Sequence, residues 1–113
     1  MNPGDVVLIS LPQVSGGPTK LRPALILSKL PGTFQNVLIC GISTRLDHLA
    51  NRWDEVVATT DADYAASGLH RESAIRLSYL YAAEASEIRG TIGSIDTARL
   101  NRLLTRLAAH LAP

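Results

Sequence analysis

Cysteine is nearly absent: the chain has one, Cys40, set among strand-forming aliphatics in NVLICGI. A lone cysteine excludes an intrachain disulfide and a thiolate zinc cluster, and its surroundings read as those of a buried, reduced thiol. Metal-ligand spacing is also missing, because His48, His70 and His110 do not recur at helical intervals beside a carboxylate. Neither a metal nor an organic cofactor is therefore expected. Apolar runs long enough to cross a bilayer are lacking, and MNPGD has neither the basic nor the apolar region of a secretory signal. These absences lead to an expectation of a cytoplasmic protein with no membrane partner. Finally, there is little excess charge: eleven basic against ten acidic residues leave a net +1. A non-specific duplex DNA binder usually carries a larger basic excess or a basic stripe. Nine of the eleven basic residues are arginine, however, which leaves room for a local phosphate-binding surface.

What is present describes an ordinary globule: 113 residues, 46% hydrophobic and 19% charged, read as one domain over 1–113. Segments rich in Val, Ile and Leu alternate with turn signals in the first half. DVVLISL, PALILS and NVLICGIS read as three strands, separated by PQVSGGPTK and a Pro31-Gly32 turn. Connections this short suit antiparallel neighbours. RLDHLANR reads as a turn of helix or a loop, DEVVATT as a fourth strand, and DADYAASG as a short helix ended by Gly68. SAIRLSYLYA gives a fifth strand, largely buried, with Arg76 or Ser78 emerging on an accessible face.

The closing stretch GSIDTARLNRLLTRLAAHL has the clearest pattern. Asp96 is a good N-cap, and Leu100, Leu103, Leu104, Leu107 and Leu111 recur on one helical face. Arg99, Arg102 and Arg106 fall together on another side and read as a solvated face. Five short strands and one long helix suggest a strongly bent sheet or part-closed barrel with helices packed against it. Within that scaffold Arg22 is conspicuous. It precedes Pro23, whose ring pushes the preceding residue into extended geometry, so Arg22 has a stiff backbone where the strand begins. A guanidinium held that way is suited to phosphate, although an arginine at a strand start is also an ordinary solvated charge.

Taken in order, PGDVVLISLP, a glycine-rich loop, RPALILS, VLICGIST, SGLHRESAIRLSYLY, IGSID and a leucine-rich helix resemble the MazF/PemK family of toxin–antitoxin endoribonucleases over essentially the whole chain. The resemblance implies a mainly β (β-rich α+β) fold, an SH3-like barrel of the MazF/PemK/CcdB type with a C-terminal α-helix, usually homodimeric. It also implies a metal-independent mRNA interferase that cuts single-stranded RNA. The ribose 2′-hydroxyl attacks the adjacent phosphate, leaving a cyclic phosphate and a 5′-hydroxyl. A cognate antitoxin protein would hold the toxin inactive, with DNA contacted only through that antitoxin.

Position by position, Arg22 matches the arginine of the family's Arg-Pro motif, which acts on the scissile phosphate. Ser43 stands at the usual threonine position with Thr44 beside it, and Arg76 matches an arginine used as acid or electrostatic stabiliser. These four are the catalytic candidates; Lys20, His48, Ser78 and Tyr79 are the substrate-binding ones. Two departures stand out. Ser78 occupies the place of an acidic residue that serves some members as base, and Tyr79 that of a glutamine found in others. Serine is a poor proton acceptor at neutral pH, so water, Asp47, His48 or His70 takes that role, or the protein is slow or inactive. The loop SGGPTK also lacks the acid and amide common in the family and gains Lys20, which bears on substrate preference. Two other functions compete: a non-catalytic member that binds antitoxin and, through it, operator DNA, and a CcdB-like gyrase poison. The second lacks its C-terminal tryptophan motif, since Trp53 is the only tryptophan.

Overall fold

The computed structural model describes residues 1–11 and 20–113, with Leu11 described in its backbone alone, so most of the glycine-rich loop lies outside the described residues. Among the described residues six strands form one antiparallel sheet: β1 (Asp5–Leu11), β2 (Lys20–Lys29), β3 (Val37–Ser43), β4 (Glu55–Val57), β5 (Ser73–Ala83) and β6 (Ile88–Ser94). Their spatial order is β4-β5-β3-β2-β1-β6. Two α-helices among the described residues accompany them, α1 (Tyr64–Ser67) and α2 (Thr97–Leu111). The mainly β fold with a closing helix is the one the sequence suggested.

Strands this densely apolar need cover on both faces, and both are covered. On one face Val6, Leu25, Leu27, Cys40, Ile75 and Leu77 pack with Leu103 and Leu107 of α2. On the other, Val7, Ile9, Ala24, Ile26, Val37, Ile39 and Ala83 form a second buried cluster closed by Ile88. Leu77 thus belongs to the core, while Leu80 and Tyr81 further along β5 are exposed, at 41% and 37%.

Three elements depart from the sequence reading. β6 was missed because IRGTIGS is interrupted by Gly90 and Gly93, which weaken any strand signal. Packing explains Gly93: a Cβ there would lie 2.2 Å from the Ala66 carbonyl oxygen, so α1 and β6 can approach only over a glycine. Gly68 does end α1 in the left-handed conformation, with φ of 74°. β2 starts at Lys20, earlier than expected, so Arg22 is inside the strand opposite Ile9. Leu111 is 70% exposed, and the buried stripe of α2 ends at Leu107.

The arginines of α2 do not form a solvated face. Asp96 caps the helix by accepting the Arg99 N–H at 2.7 Å, and the Arg99 side chain then runs inward. It donates to Asp63 through Nε at 2.8 Å and Nη2 at 3.1 Å, to Asp61 at 2.9 Å, and to Glu55 and the Val56 carbonyl at 2.8 and 3.1 Å. Arg102 and Arg106 pair with the same Glu55, and Arg106 also donates to the Trp53 carbonyl at 3.0 Å. Helical spacing put the three arginines on one side, but it could not show that β4 and the α1 turn bring carboxylates to meet them.

Arg99 holds the Asp63 carboxyl below the usual range. Burial pushes Glu55 up, but Arg102, Arg99 and Arg106 together leave it lowered; Asp61 is lowered by the Ala58 N–H and by Arg99. Depressed carboxyls stabilise the fold above their unfolded values, about 3.9 for Asp and 4.3 for Glu, and that contribution disappears as pH falls through the lower folded values. Arg99→Met leaves Asp63 buried without its partner, so urea unfolding at pH 7 should show a loss of about 3–5 kcal/mol. The variant should also lose less stability than wild type between pH 7 and pH 3; equal curves at both pH values would show the cluster to be idle.

Candidate functional site

Residues 20–23 of β2 pair with β1 alone, because the ladder to β3 begins only at Ala24 opposite Gly41. Pro23, which has no N–H to donate, therefore lies outside that ladder. Continuing the register brings Arg22 level with Ser43, and Gly41 and Ser43 pair in turn with Arg76 and Ala74 of β5. Side chains alternate along a strand. Arg22 shares the face of Ala24 and Ile26, Ser43 that of Ile39, and Arg76 lies opposite Gly41, so all three occupy the same side of three adjacent strands. Lys20 follows the same alternation and is exposed, as is Arg22, while the Arg76 side chain is 27% exposed. The Ser43 hydroxyl accepts the Arg45 N–H at 3.0 Å and keeps its own proton to donate.

Thr44 is turned to the opposite face. There it lines an open groove of about 320 Å³ with Leu8, Pro23, His70, Arg71 and Ser73. His48 follows in a 3-10 turn, exposed, its Nε2 3.5 Å from Nη2 of Arg45 and 3.6 Å from Asp47. Arg45 holds Asp47 in a forked contact at 3.1 and 2.9 Å and lowers its carboxyl to about 2. A carboxylate that acidic makes a weak general base.

One residue of this region escaped sequence reading. Between Gly41, opposite Arg76, and Cys40, opposite Leu80, a single step along β3 spans four on β5, so Leu77–Tyr79 bulge from the ladder. Into this bulge projects Asp54, whose side chain is wholly buried. Its Oδ2 accepts the Ala50 N–H at 2.9 Å and its Oδ1 the Ser78 N–H at 3.0 Å. The Ser78 hydroxyl lies 3.1 and 3.0 Å from the two carboxylate oxygens, and Nε of Arg76 is 3.7 Å away. That Nε is buried and has no hydrogen-bond partner among the described residues. Tyr79 lies over Gly41, where a Cβ would come 3.3 Å from its ring. Serine thus stands where the resemblance led to an acid, but a carboxylate is directly behind it. No local signal marks Asp54, which is 24 residues from Ser78 in sequence and reaches it only through the folding of β4 against β5.

Among the described residues no group of three or more His, Cys, Asp or Glu side chains is arranged to hold a metal ion. No helix among the described residues is long and apolar enough to cross a membrane. Cys40, beneath this region, has its thiol pushed up to about 12 by burial and by the nearby Asp54 charge. A disulfide reagent at pH 8 should therefore leave the native protein unmodified and titrate one thiol after denaturation; rapid labelling of the folded chain would contradict this burial.

Comparison with known proteins finds relatives of the chain and of its fold. The family described as PemK-like, MazF-like toxin of type II toxin-antitoxin system matches over residues 2–111. The solved Mycobacterium tuberculosis toxin MazF-mt6 superposes with a TM-score of 0.68 at 20% identity, covering 95% of each chain. No curated protein sequence matches.

Proposed function

The chain belongs to the PemK-like, MazF-like family of type II toxins, and from that premise we propose that it is an endoribonuclease that cuts single-stranded RNA without a metal. The supporting observation is the placement of Arg22, Ser43 and Arg76 on one face of adjacent strands. In this reading the 2′-oxygen attacks the neighbouring phosphorus, and the 5′-oxygen leaves as a cyclic phosphate forms. Arg22 meets the charge that develops on the phosphoryl oxygens, and Ser43, on the same face, donates a further hydrogen bond. Arg76 neutralises the departing oxygen. As a guanidinium it acts by charge, since arginine does not give up its proton in proteins. Thr44, turned to the other face, has no part in this step.

Lys20 and His48 hold backbone phosphates, and the half-exposed Tyr79 offers a ring on which a base can stack. A cognate antitoxin covers this face, DNA is reached only through that antitoxin, and the toxin works as a cytoplasmic homodimer. The alternative, a member that binds its antitoxin but does not cut, is favoured by the lack of an acid at Ser78.

Long single-stranded RNA incubated with the protein in EDTA should yield fragments with 5′-hydroxyl ends at a recurrent short sequence. Arg22→Ala should cut about 10²–10³-fold more slowly, the usual effect of removing one charge-stabilising donor. An Arg22→Ala protein as active as wild type would overturn the assignment, and a wild-type protein that leaves RNA intact would select the non-catalytic alternative.

A further inference from the structure

We infer that Ser78 and Asp54 together are the proton acceptor of this site, Ser78 touching the substrate and Asp54 acting through it as a positioning residue. The inference rests on the nuclease reading above and supplies the group that reading lacks. Ser78 is exposed and carries one proton, and both Asp54 oxygens are close enough to take it. With that proton committed inward, the lone pairs of the Ser78 oxygen face outward and can accept from a ribose hydroxyl. Asp54 is wholly buried and cannot reach RNA itself.

The step balances. As the O2′–P bond forms and the P–O5′ bond breaks, the 2′-hydroxyl proton passes to the Ser78 oxygen while the Ser78 proton passes to Asp54. The departing 5′-oxygen takes a proton from water. The reverse relay then returns the Asp54 proton to solvent, and no further reactant is needed. Arg76 belongs to the same unit: its Nε lies 3.7 Å from Asp54 with no hydrogen bond among the described residues, so the carboxylate sets the position of the guanidinium by charge.

The acid is in place because α2 holds the segment that carries it. The Trp53 carbonyl accepts from Arg106, the Trp53 ring packs against His110 with centroids 4.9 Å apart, and Glu55 is paired with three arginines of the helix. Asp54, between these two anchors, is directed into the β5 bulge. A carboxylate that serves only to fill a turn needs no hydroxyl bridging both of its oxygens at the surface.

The test compares single-turnover RNA cleavage and RNA binding for four variants beside wild type. Ser78→Ala keeps both backbone N–H bonds to Asp54 and removes only the relay hydroxyl. It should lower kcat by about 100-fold or more, the usual span of general-base catalysis, with KM unchanged. Ser78→Thr restores a hydroxyl and should recover most of that loss. Asp54→Asn should behave like Ser78→Ala, and Asp54→Asn combined with Ser78→Asp should regain at least about tenfold by returning the acid to the surface.

Ser78→Ala at wild-type kcat overturns the relay while wild-type cleavage keeps the nuclease reading intact. A loss that appears in KM alone, or that Ser78→Thr fails to repair, also overturns it. Should Asp54→Asn not fold, the Ser78 pair decides alone. Absence of cleavage by wild type removes the nuclease reading and the relay with it.

Discussion

Two neighbouring carboxylates point in opposite directions. Glu55 faces α2 and is paired with Arg99, Arg102 and Arg106, while Asp54 faces the sheet and accepts hydrogen bonds in the β5 bulge. This divergence is what strand alternation produces at the start of β4. It makes a short strand the joint between the helix and the surface of Arg22, Ser43 and Arg76. Burying charges is costly unless each is paired and hydrogen-bonded. Arg99 meets that condition with two carboxylates held by α1 and its turn, one from β4, and a backbone carbonyl. The ion cluster therefore fixes where β4 lies against β5, and β4 in turn fixes Asp54.

How far the sequence reveals this depends on the range of each interaction. β1, β3 and β5 were legible because their apolar runs are bounded by turn residues, and α2 because its leucine spacing and Asp96 cap are local. β6 was not, since Gly93 serves the approach of α1 to the sheet and at the same time erases the strand pattern. The fate of the three arginines was hidden for a related reason: the partners of their side chains lie 36 to 53 residues away. Periodicity reports which side of a helix a residue takes, and nothing about what is brought to that side.

The site shows the same division. Arg22, Ser43 and Arg76 were singled out through family resemblance, and register gives them a common face, with Thr44 on the opposite one. The substitution at Ser78 read as the loss of an acid. In three dimensions a carboxylate stands behind the serine, supplied from a segment with no motif of its own. Asp47 and His48, the nearby candidates in sequence, are instead engaged with Arg45 at the surface.

The central claim is that one face of the sheet receives the RNA, with its reacting phosphate between Arg22 and Arg76. A crystal structure with an unreactive 2′-fluoro oligonucleotide of the mapped cleavage sequence tests this most directly. The account predicts a backbone phosphate bridged by the two guanidinium groups, with the adjacent 2′ position facing the Ser78 oxygen. An oligonucleotide seated instead in the groove of Thr44, His70 and Arg71, with Arg22 and Arg76 untouched, would contradict it.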